Sequence, residues 1–421
     1  MKVLHVCFAD SHEGGAIGAY RLHSAMRASG VDSHFLAIRK RTEDENVITP
    51  PIFTRALIRF WNLLAIRLLR LQKPGDRNYR SLNVFPTGVH RIINSFEPDV
   101  VQCHWINRNS ISIFELAKIK APLFMKLPDM WAFSGTEHYI SPGAIERYKE
   151  GYTSTNRQEG DRGLDIDRFV WNLKRRAWKN VDITVVTPSR WLGDCARESA
   201  LFGNYRIENI ANPIDLDFYQ PFHDKRDARI VLGLPQDKNL VLFGSVKADT
   251  DPRKGFTHLR EALNEIQNAK SEIGEFEFLI FGTSEKKKEI IDGVVTHYLG
   301  TIFDERVLMS MYCAADVMVL PTVADNLPNT VQEATSCGTP CVGFRIGGMP
   351  DMITHKETGY LAEPFDPQDL ADGIKWVLGN KGETLTRRVR QNALKIFDPK
   401  SRVNEYLDLY SQVLKGKAGV P

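Results

Sequence analysis

The sequence predicts an α/β protein built from two doubly wound, Rossmann-like domains, each with a parallel sheet covered by helices on both faces. Short, nearly continuous apolar segments alternate with amphipathic segments along the chain. This is the pattern of strands buried on both faces of a parallel sheet. The chain has 421 residues, more than one hydrophobic core usually organises. We therefore expect two domains that face a cleft, with ligands at the carboxyl ends of the strands.

The predicted elements repeat the same order in the two halves of the chain. In the first half, the predicted strands are Val3–Phe8, Ser33–Ile38, Val100–Cys103, Leu123–Lys126 and Ile183–Thr187, with helices such as Ala19–Ser29 and Arg168–Lys179 between them. In the second half, the predicted strands are Leu240–Gly244, Glu277–Phe281, Val317–Pro321 and Cys341–Phe344. Two prolines bracket a polar turn from Asn212 to Pro221. We place the domains at 1–215 and 216–400, followed by a C-terminal helix over 401–421.

Composition excludes several classes of protein. The net charge is +3 and 25% of the residues are charged, so no nucleic-acid partner is indicated. The six cysteines form no CxxC pair, which favours a reduced, cytoplasmic chain without a zinc site. The N-terminal MKVLHVCFAD is expected to be a buried strand rather than a signal peptide. No apolar run is long enough to predict a membrane-spanning helix.

The segment Thr54–Lys73 has a different character. On a helical wheel, Arg55, Arg59, Arg70 and Lys73 fall within about one-sixth of the circumference, with Arg67 close by. Leu57, Phe60, Trp61, Leu64, Leu68 and Leu71 fall on the other side, and no acidic residue interrupts the run. Two interpretations fit equally well: a helix packed on the first domain with a solvated basic stripe, or an interfacial helix that contacts anionic lipid.

The stretch from Ala324 to Phe344 indicates a ligand site. It follows the predicted strand ending at Pro321, and a helix is predicted to begin near Asn329-Thr330. The unpaired N–H groups of a helix N-terminus bind anions, and Asp325 and Glu333 on either side could accept hydroxyls from a ligand. By themselves, the two carboxylates fit equally well as a turn cap and a complement to the helix dipole.

Asp325-x7-Glu333, followed by Gly347-Gly-Met-Pro-Asp351, resembles the E-x7-E region of the family-4 retaining glycosyltransferases. The likeness continues, in order, through the rest of the chain. Further matching stretches are Gly14–Ala16, His104-Trp105, Asp129–Trp131, Thr187–Trp191, Asn212–Asp215, Tyr298–Gly300, Ala314–Pro321 and Thr358–Leu361. The resemblance implies the two-domain GT-B fold, a C-terminal helix around Arg402–Leu414 that packs on the first domain, and a role in bacterial capsule, exopolysaccharide or O-antigen (lipopolysaccharide) synthesis.

The resemblance also implies roles for individual residues. Arg253 and Lys254, followed by Gly255, would neutralise the diphosphate of the nucleotide-sugar donor, and two adjacent cations suit that task. Asp325 and Glu333 would complete the catalytic set. Donor-binding positions would be Gly15, Ala16, Gly282, Leu327, Pro328, Asn329 and Thr330. Asp249-Thr-Asp251 looks like a metal-binding DxD motif but is expected to be a solvated loop, because GT-B enzymes hold the diphosphate with cations. No metal and no cofactor are expected.

Two departures from the family lie on the sugar side of the predicted site. Pro128 replaces the histidine that precedes Asp129 in relatives, and Asp325 replaces a glutamate. Either the donor sugar is held differently, or catalysis is weakened while nucleotide binding persists. His104, Asp129 and His138 are the candidates for contacts with the sugar or the acceptor. A structural role for His104 fits the sequence equally well.

These observations predict a retaining, metal-independent glycosyltransferase. It would move a sugar from a nucleotide diphosphate sugar to a growing, lipid-linked surface glycan. It would act in the cytoplasm, or as a peripheral protein at the inner face of the plasma membrane if residues 54–73 contact lipid. The alternatives are a GT-B sugar-nucleotide epimerase and a non-catalytic scaffold that binds nucleotide sugars.

Overall fold

The computed structural model describes residues 1–76, 78–244, 251–268, 274–291 and 293–418. The chain divides into two compact units. Unit 1 comprises Met1–Pro213 together with the segment that begins at Pro399, and unit 2 comprises Ile214–Asp398. Each unit is built around its own sheet.

Unit 1 contains a seven-stranded parallel sheet. Its strands are β1 (Lys2–Ala9), β2 (Asp32–Arg39), β3 (Val47–Ile48), β5 (Val100–Cys103), β6 (Leu123–Lys126), β8 (Ile183–Thr187) and β9 (Arg206–Asn209). The strand order is β3-β2-β1-β5-β6-β8-β9, and all neighbours are parallel. At the centre, Val6 lies opposite Leu36 on one side and Cys103 on the other. A separate antiparallel pair joins β4 (Gln72–Lys73) to β7 (Arg162–Gly163).

The helices of unit 1 cover both faces of this sheet, as near-continuous apolar strands require. Those before unit 2 are α1 (Gly14–Ala28), α2 (Ile52–Leu69), α3 (Val89–Ser95), α4 (Arg147–Glu150), α5 (Ile166–Trp178) and α6 (Arg190–Glu198), with a 3₁₀ turn at Leu116–Lys118.

Unit 2 repeats the architecture. Its strands are β10 (Asn239–Gly244), β11 (Phe276–Phe281), β12 (Lys286–Ile291), β13 (Val294–Leu299), β14 (Val317–Val319), β15 (Cys341–Phe344) and β16 (Gly359–Ala362). The order is β12-β13-β11-β10-β14-β15-β16, and only the edge strand β12 is antiparallel to its neighbour. Its helices are α7 (Lys225–Leu232), α8 (Phe256–Asn268), α9 (Glu305–Ala314), α10 (Asn329–Ser336), α11 (Met349–Met352), α12 (Pro367–Asn380) and α13 (Glu383–Phe397), with a 3₁₀ turn at Pro252–Lys254.

The last helix, α14 (Pro399–Ala418), belongs to unit 1 although it follows unit 2 in the sequence. Its side chains Val403, Tyr406, Leu409 and Tyr410 are buried in the hydrophobic core that contains Phe124 of β6. The Tyr410 hydroxyl also donates to the Gln102 side chain at 2.8 Å. Tertiary packing of an apolar face therefore holds this helix on unit 1.

The largest differences between predicted and observed helix boundaries occur in two helices of unit 1. The first begins at Gly14 rather than Ala19. The second ends at Leu69 rather than continuing to Lys73, because Gln72 pairs with Gly163 across the β4–β7 ladder and its side chain donates to Asp167. These partners are distant in sequence, so helical periodicity could not reveal them.

Candidate functional site

The two cations predicted to hold a diphosphate lie in one tight turn of unit 2. Asp251 caps this turn by accepting the backbone N–H of Arg253 at 3.0 Å. Gly255 closes the turn at φ 72°, and a Cβ on it would lie 1.8 Å from the carbonyl oxygen of Pro321. Glycine is required here because a side chain would force the turn away from the loop that follows β14.

Hydrogen bonds fasten the same turn to that loop. The carbonyl of Arg253 accepts the Val323 N–H at 2.8 Å and the Thr322 hydroxyl at 2.9 Å. A few residues further on, Asp325 accepts from Nζ of Lys254 at 2.8 Å. The fold thus brings together the cationic turn and the acidic loop, which the sequence predicts separately.

Carboxylates pair with both cations in this structure. The Arg253 guanidinium donates to both oxygens of Asp251, through Nε at 3.2 Å and Nη2 at 2.6 Å. Burial by itself would raise the pKa of Asp251, but the hydrogen bonds and charge of Arg253 outweigh burial and lower that pKa. An incoming diphosphate must therefore compete with Asp251 and Asp325 for the two cations.

A pair of glycines supports the Asp325 loop from the other side. Gly347 has φ 54°, and a Cβ on it would lie 2.0 Å from the Asp325 carbonyl oxygen. The next residue, Gly348, donates its N–H to that oxygen at 3.3 Å. The Gly347-Gly348 match to the family thus has a structural reason, since only glycine fits so close to the Asp325 backbone.

The helix after the loop, α10, begins at Asn329, where the sequence predicts it. Leu327 and Pro328 are buried and anchor the entry to the helix, whereas Asn329 and Thr330 are half-buried at its N-terminus. An N-terminus at this place supplies backbone N–H groups and the positive end of a dipole beside Lys254.

Glu333 lies one turn inside α10 and is buried. One of its oxygens accepts from the Tyr312 hydroxyl at 2.7 Å. Burial raises the pKa of Tyr312 well above its ordinary value, and the charge of Glu333 adds to the effect. Tyr312 therefore remains a donor that orients the carboxylate. Sequence reasoning did not identify Tyr312, because nothing local marks a tyrosine 21 residues away as its partner.

The loop that contains Gly282, a predicted donor-binding position of unit 2, lies beside the loop that follows β13. Gly282, which follows β11 with φ 81°, donates its N–H to the Gly300 carbonyl at 2.8 Å. The Gly300 N–H donates to the Thr283 hydroxyl at 3.2 Å, and the Thr301 hydroxyl donates to the Thr283 carbonyl at 3.3 Å. Parallel pairing of β11 with β13 brings these loops together at the carboxyl edge of the sheet.

In unit 1, Gly15 and Ala16 lie in the first turn of α1. A Cβ on Gly15 would lie 3.3 Å from the Cβ atoms of both Trp105 and Pro128. Gly15 therefore lets the start of α1 pack closely against the chain just beyond β5 and β6. Ala16 is buried, so any contact it makes with a ligand would be through its backbone.

His104 does not lie at an open cleft edge. It is buried, and its Nε2 shares a hydrogen bond with Nδ1 of His5 at 2.9 Å. Burial lowers the pKa of both rings; the charge of His23 lowers the pKa of His5 further, and the charge of His5 lowers the pKa of His104 further. This geometry favours the structural role of His104, because the neighbouring strand β1 supplies the partner of the ring.

Asp129 and His138 form one hydrogen-bonded group. The Asp129 carboxylate accepts from Nδ1 of His138 at 2.6 Å, from the indole N–H of Trp105 at 3.1 Å and from the backbone N–H of Trp131 at 3.0 Å. The other ring nitrogen of His138 shares a hydrogen bond with the Ser81 hydroxyl at 2.9 Å. Both predicted residues are buried and hold each other in place.

The residues around this group that face outward are aromatic and cationic. Tyr79 is 43% exposed, and its ring lies 6.2 Å from that of Trp105 and 4.8 Å from that of His138. Arg108 donates to the Tyr79 hydroxyl at 3.2 Å and to Glu13 at 2.9 Å, and lies over the Trp105 ring. Tyr79 and Arg108 escaped the sequence analysis because they lie in loops without a recognisable motif.

The backbone is unusual in the same place. Arg108 and Asn109 after β5, and His12 after β1, have positive φ values of 55°, 54° and 67° although none is glycine. Left-handed non-glycine residues cost energy and concentrate at functional sites. The carboxyl edge of the unit 1 sheet is therefore a second candidate binding region, with Trp105 and Tyr79 as its aromatic platform.

The DxD-like motif lies largely outside the described residues, which include Asp251 but not Asp249 or Thr250. Within the described ranges, no three His, Cys, Asp or Glu side chains are grouped closely enough to hold a metal ion. The carboxylate of Asp251 engages Arg253 instead.

Comparison with known proteins places this arrangement in context. Residues 237–380 match the family described as "Glycosyl transferases group 1". The chain is 24% identical over 360 residues to N-acetyl-alpha-D-glucosaminyl L-malate synthase of Bacillus anthracis, covering 79% of this chain and 90% of that protein. Other curated relatives, among them D-inositol 3-phosphate glycosyltransferases, match over 41–54% of this chain and 40–48% of their own length.

Solved structures establish the fold. Anabaena Alr3699/HepE in complex with UDP and glucose has a TM-score of 0.64 at 16% identity, over 98% of this chain and 99% of that one. WaaG, a glycosyltransferase involved in lipopolysaccharide biosynthesis, has a TM-score of 0.61 at 14% identity, over 97% and 99% of the two chains. The two Rossmann-like units thus form the GT-B fold, which confirms the predicted fold class.

Proposed function

We propose that this chain is a glycosyltransferase that uses a nucleoside diphosphate sugar and retains the anomeric configuration. The proposal starts from the match of residues 237–380 to the group 1 glycosyltransferases and from the GT-B fold of the chain. The observation that carries this proposal is the convergence in unit 2 of Arg253, Lys254, Asp325 and the N-terminus of α10. Two cations beside a helix N-terminus suit the double negative charge of a diphosphate leaving group.

The proposed chemistry follows from what these groups can stabilise. The bond between the anomeric carbon and the diphosphate oxygen breaks, and an acceptor hydroxyl attacks from the same face of the sugar. The departing phosphate oxygen takes the hydroxyl proton, so no side chain is needed as nucleophile or base. Negative charge grows on the leaving diphosphate, and Arg253 and Lys254 stabilise it as it forms. We propose that no metal ion takes part.

The two carboxylates have different proposed tasks. Glu333, oriented by Tyr312, is proposed to accept hydroxyls of the donor ribose. Asp325 is paired with Lys254, and we propose that it releases this cation to the diphosphate and accepts a hydroxyl of the transferred sugar. Glycines 15 and 282, with the backbone of residues 327–330, complete the proposed donor contacts.

The acceptor is proposed to be a sugar hydroxyl on a growing, lipid-linked surface glycan of the capsule, exopolysaccharide or lipopolysaccharide kind. The structural similarity to WaaG, which is involved in lipopolysaccharide biosynthesis, supports this class of acceptor. Within unit 1, the exposed ring of Tyr79 and the half-buried ring of Trp105 offer flat apolar faces on which sugar rings can stack. We propose that Asp129 and His138 hold the Trp105 indole in position for that contact.

A thermal-shift panel tests the donor site. UDP, GDP, ADP, CMP and dTDP, alone and as sugar conjugates, are added to wild type and to Glu333→Gln. Glutamine at position 333 removes the negative charge but keeps an oxygen that can accept the hydrogen bond of Tyr312. Glu383→Gln, which changes an exposed glutamate of the same unit, is the matched control.

A nucleotide that binds only the folded state raises its stability. We expect one nucleotide to stabilise wild type and the Glu383→Gln control, and to stabilise Glu333→Gln much less. If no nucleotide shifts the unfolding of folded wild type, the proposed donor site is wrong.

Pro128 motivates a second candidate, a scaffold that binds a nucleotide sugar without transferring it. The resemblance to family-4 glycosyltransferases implies a histidine at this position, and Pro128 packs beside Gly15. Release of the nucleotide from the donor, measured in wild type and in Pro128→His, distinguishes a transferase from a scaffold. Release by wild type in the presence of an acceptor supports the transferase, whereas release by the variant alone supports the scaffold. Interconversion of donor sugars without acceptor would instead indicate an epimerase.

A further inference from the structure

The helix α2 presents to solvent the apolar side chains that a packed helix would bury. Phe53 is 85% exposed and Phe60 57% exposed. Further large apolar side chains exposed along the same helix are Ile52, Leu57, Leu63 and Ile66. A contiguous apolar surface of this kind is unusual on a soluble protein and marks a contact with a partner or a membrane.

The opposite side of α2 packs firmly on unit 1, and this packing fixes which side of the helix faces solvent. Ile58 and Ala65 are buried, and Ala65 lies in a hydrophobic cluster with Val170 of α5. The Trp61 ring stacks on Phe85 at 4.7 Å, and its indole N–H donates to the Pro86 carbonyl at 2.9 Å. Trp61 therefore fastens the helix to unit 1.

Four exposed arginines accompany the apolar side chains. Arg55, Arg59, Arg67 and Arg70 point to solvent, and the segment Ile52–Lys73 contains no acidic residue. In the part of the chain that the structure describes, no carboxylate lies within ion-pair distance of any of the four. The helix therefore carries a positive charge that its own unit leaves unneutralised.

The same character continues onto the β4–β7 ladder. Leu71 and Leu164 are both exposed, and the Leu164 N–H donates to the Leu71 carbonyl at 3.0 Å. Two positions further along, beyond the pair Gln72 and Gly163, exposed Lys73 lies opposite exposed Arg162. The nearby carboxylate of Asp165 is held by Arg147 and does not offset this charge.

We infer that α2 together with residues 71–73 and 162–164, here called the α2–β4 surface, binds an anionic phospholipid membrane peripherally. Exposed phenylalanine and leucine side chains can enter the boundary between headgroups and acyl chains, while the arginines reach lipid phosphates. The charge is complementary to an anionic leaflet. Within the described residues, no helix is long and apolar enough to cross a membrane. The inference does not rest on the proposed sugar transfer.

Vesicle flotation of the full chain tests this inference. The vesicles are phosphatidylcholine alone, or phosphatidylcholine with about 40% phosphatidylglycerol, at low and high salt. One variant replaces the four α2 arginines by Gln. Its matched control replaces four exposed cations elsewhere by Gln, namely Lys179, Arg387, Arg388 and Lys395. A second pair compares Phe53→Ser/Phe60→Ser with Ile230→Ser/Val231→Ser on exposed positions of α7.

We expect wild type to float with the anionic vesicles only, and less at high salt. Each arginine contributes about fivefold to membrane partitioning, so the four-arginine variant should lose more than a hundredfold. The Phe53→Ser/Phe60→Ser variant should lose at least tenfold, and both controls should float like wild type. All variants should keep the thermal unfolding of wild type, since the changed side chains are exposed.

Three results would overturn the inference. The first is wild type that does not float with anionic vesicles. The second is a charge control that loses as much flotation as the α2 arginine variant, which would indicate bulk charge alone. The third is a dimer, detected by light scattering, that only the α2 variants dissociate, which would assign the surface to a second copy of the chain. Nucleotide thermal shifts on the same samples report on the donor site separately.

Discussion

Replacing Asp251 by Asn should tighten the binding of the donor nucleotide. The carboxylate occupies the Arg253 guanidinium through two hydrogen bonds, at 3.2 Å and 2.6 Å, and a diphosphate needs the same N–H groups. Asparagine keeps one oxygen that can cap the backbone N–H of Arg253. The variant therefore removes the competing charge and preserves the turn.

The magnitude follows from the exposure of the pair. The Arg253 and Asp251 side chains are 30% and 19% exposed, between a surface ion pair at about 0.2–1 kcal/mol and a buried charged hydrogen bond at about 1.5–3 kcal/mol. We take about 1 kcal/mol for the interaction between Arg253 and Asp251, which corresponds to a roughly fivefold lower Kd of the nucleotide for Asp251→Asn. The more positive potential at the site acts in the same direction.

Isothermal titration of the nucleoside diphosphate selected by the thermal-shift panel measures this change. Asp372→Asn is the matched control, because Asp372 pairs with Lys375 at an exposed position of the same unit. Asp251→Ala removes the cap as well as the charge, so it should bind more weakly than Asp251→Asn.

Weaker binding by Asp251→Asn than by wild type would refute the reasoning. It would mean that Asp251 holds Arg253 in the orientation that the diphosphate uses, rather than competing for it. Unchanged binding would mean that the guanidinium does not contact the ligand.

Four further predictions follow from contacts described above. Gly255→Ala should lower the free energy of unfolding in urea by several kcal/mol and the donor affinity more than tenfold, because its Cβ would meet the Pro321 carbonyl oxygen. Gly233→Ala, at φ 65° in open space, should lower the free energy of unfolding by only about 1–2 kcal/mol. Tyr312→Phe should lose about 2 kcal/mol of stability yet gain a larger thermal shift from the donor, because ribose hydroxyls replace the lost donor to Glu333; equal shifts would contradict this. Trp105→Ala should raise the acceptor KM about tenfold and leave the donor Kd unchanged, and a changed donor Kd would place Trp105 elsewhere in the reaction. Burial lowers the pKa of His23 from 6.5 to about 4, so the unfolded state binds the proton first as the pH falls. The free energy of unfolding should therefore decrease by about 3 kcal/mol as the pH falls from 6.5 to about 4. His23→Gln should remove that part of the pH dependence, and an unchanged pH dependence would exclude His23 as its source.

The strands and the α10 helix were predictable because their signals are local. Buried parallel strands such as Ile183–Thr187 and Cys341–Phe344 appear in the sequence as uninterrupted apolar runs and match the structure residue for residue. The start of α10 at Asn329 is marked by Pro328, because proline is tolerated at the start of a helix but not in its interior. Neither prediction needs a partner distant in the chain.

Predictions that depended on neighbours were less accurate. His104 follows an apolar strand, which is typical of a cleft residue, but β1 brings His5 against it and buries the ring. The Thr54–Lys73 periodicity predicted a helix that continues to Lys73 and left open what the Trp61 side contacts, whereas the helix ends at Leu69 and the Trp61 ring stacks on Phe85. In each case, the deciding partner is remote in sequence.

The sequence by itself determined the two-domain α/β architecture, the glycine positions at Gly255 and Gly347, and the identity of the cations and carboxylates of the candidate site. These properties follow from periodicity, from backbone freedom and from residue chemistry, which each residue carries with it. Only the tertiary structure decided that Asp251 holds Arg253, that Tyr312 orients Glu333, and that α2 leaves its apolar side uncovered. Such facts depend on which side chains long-range packing brings within a few ångströms, and that packing is a property of the whole fold.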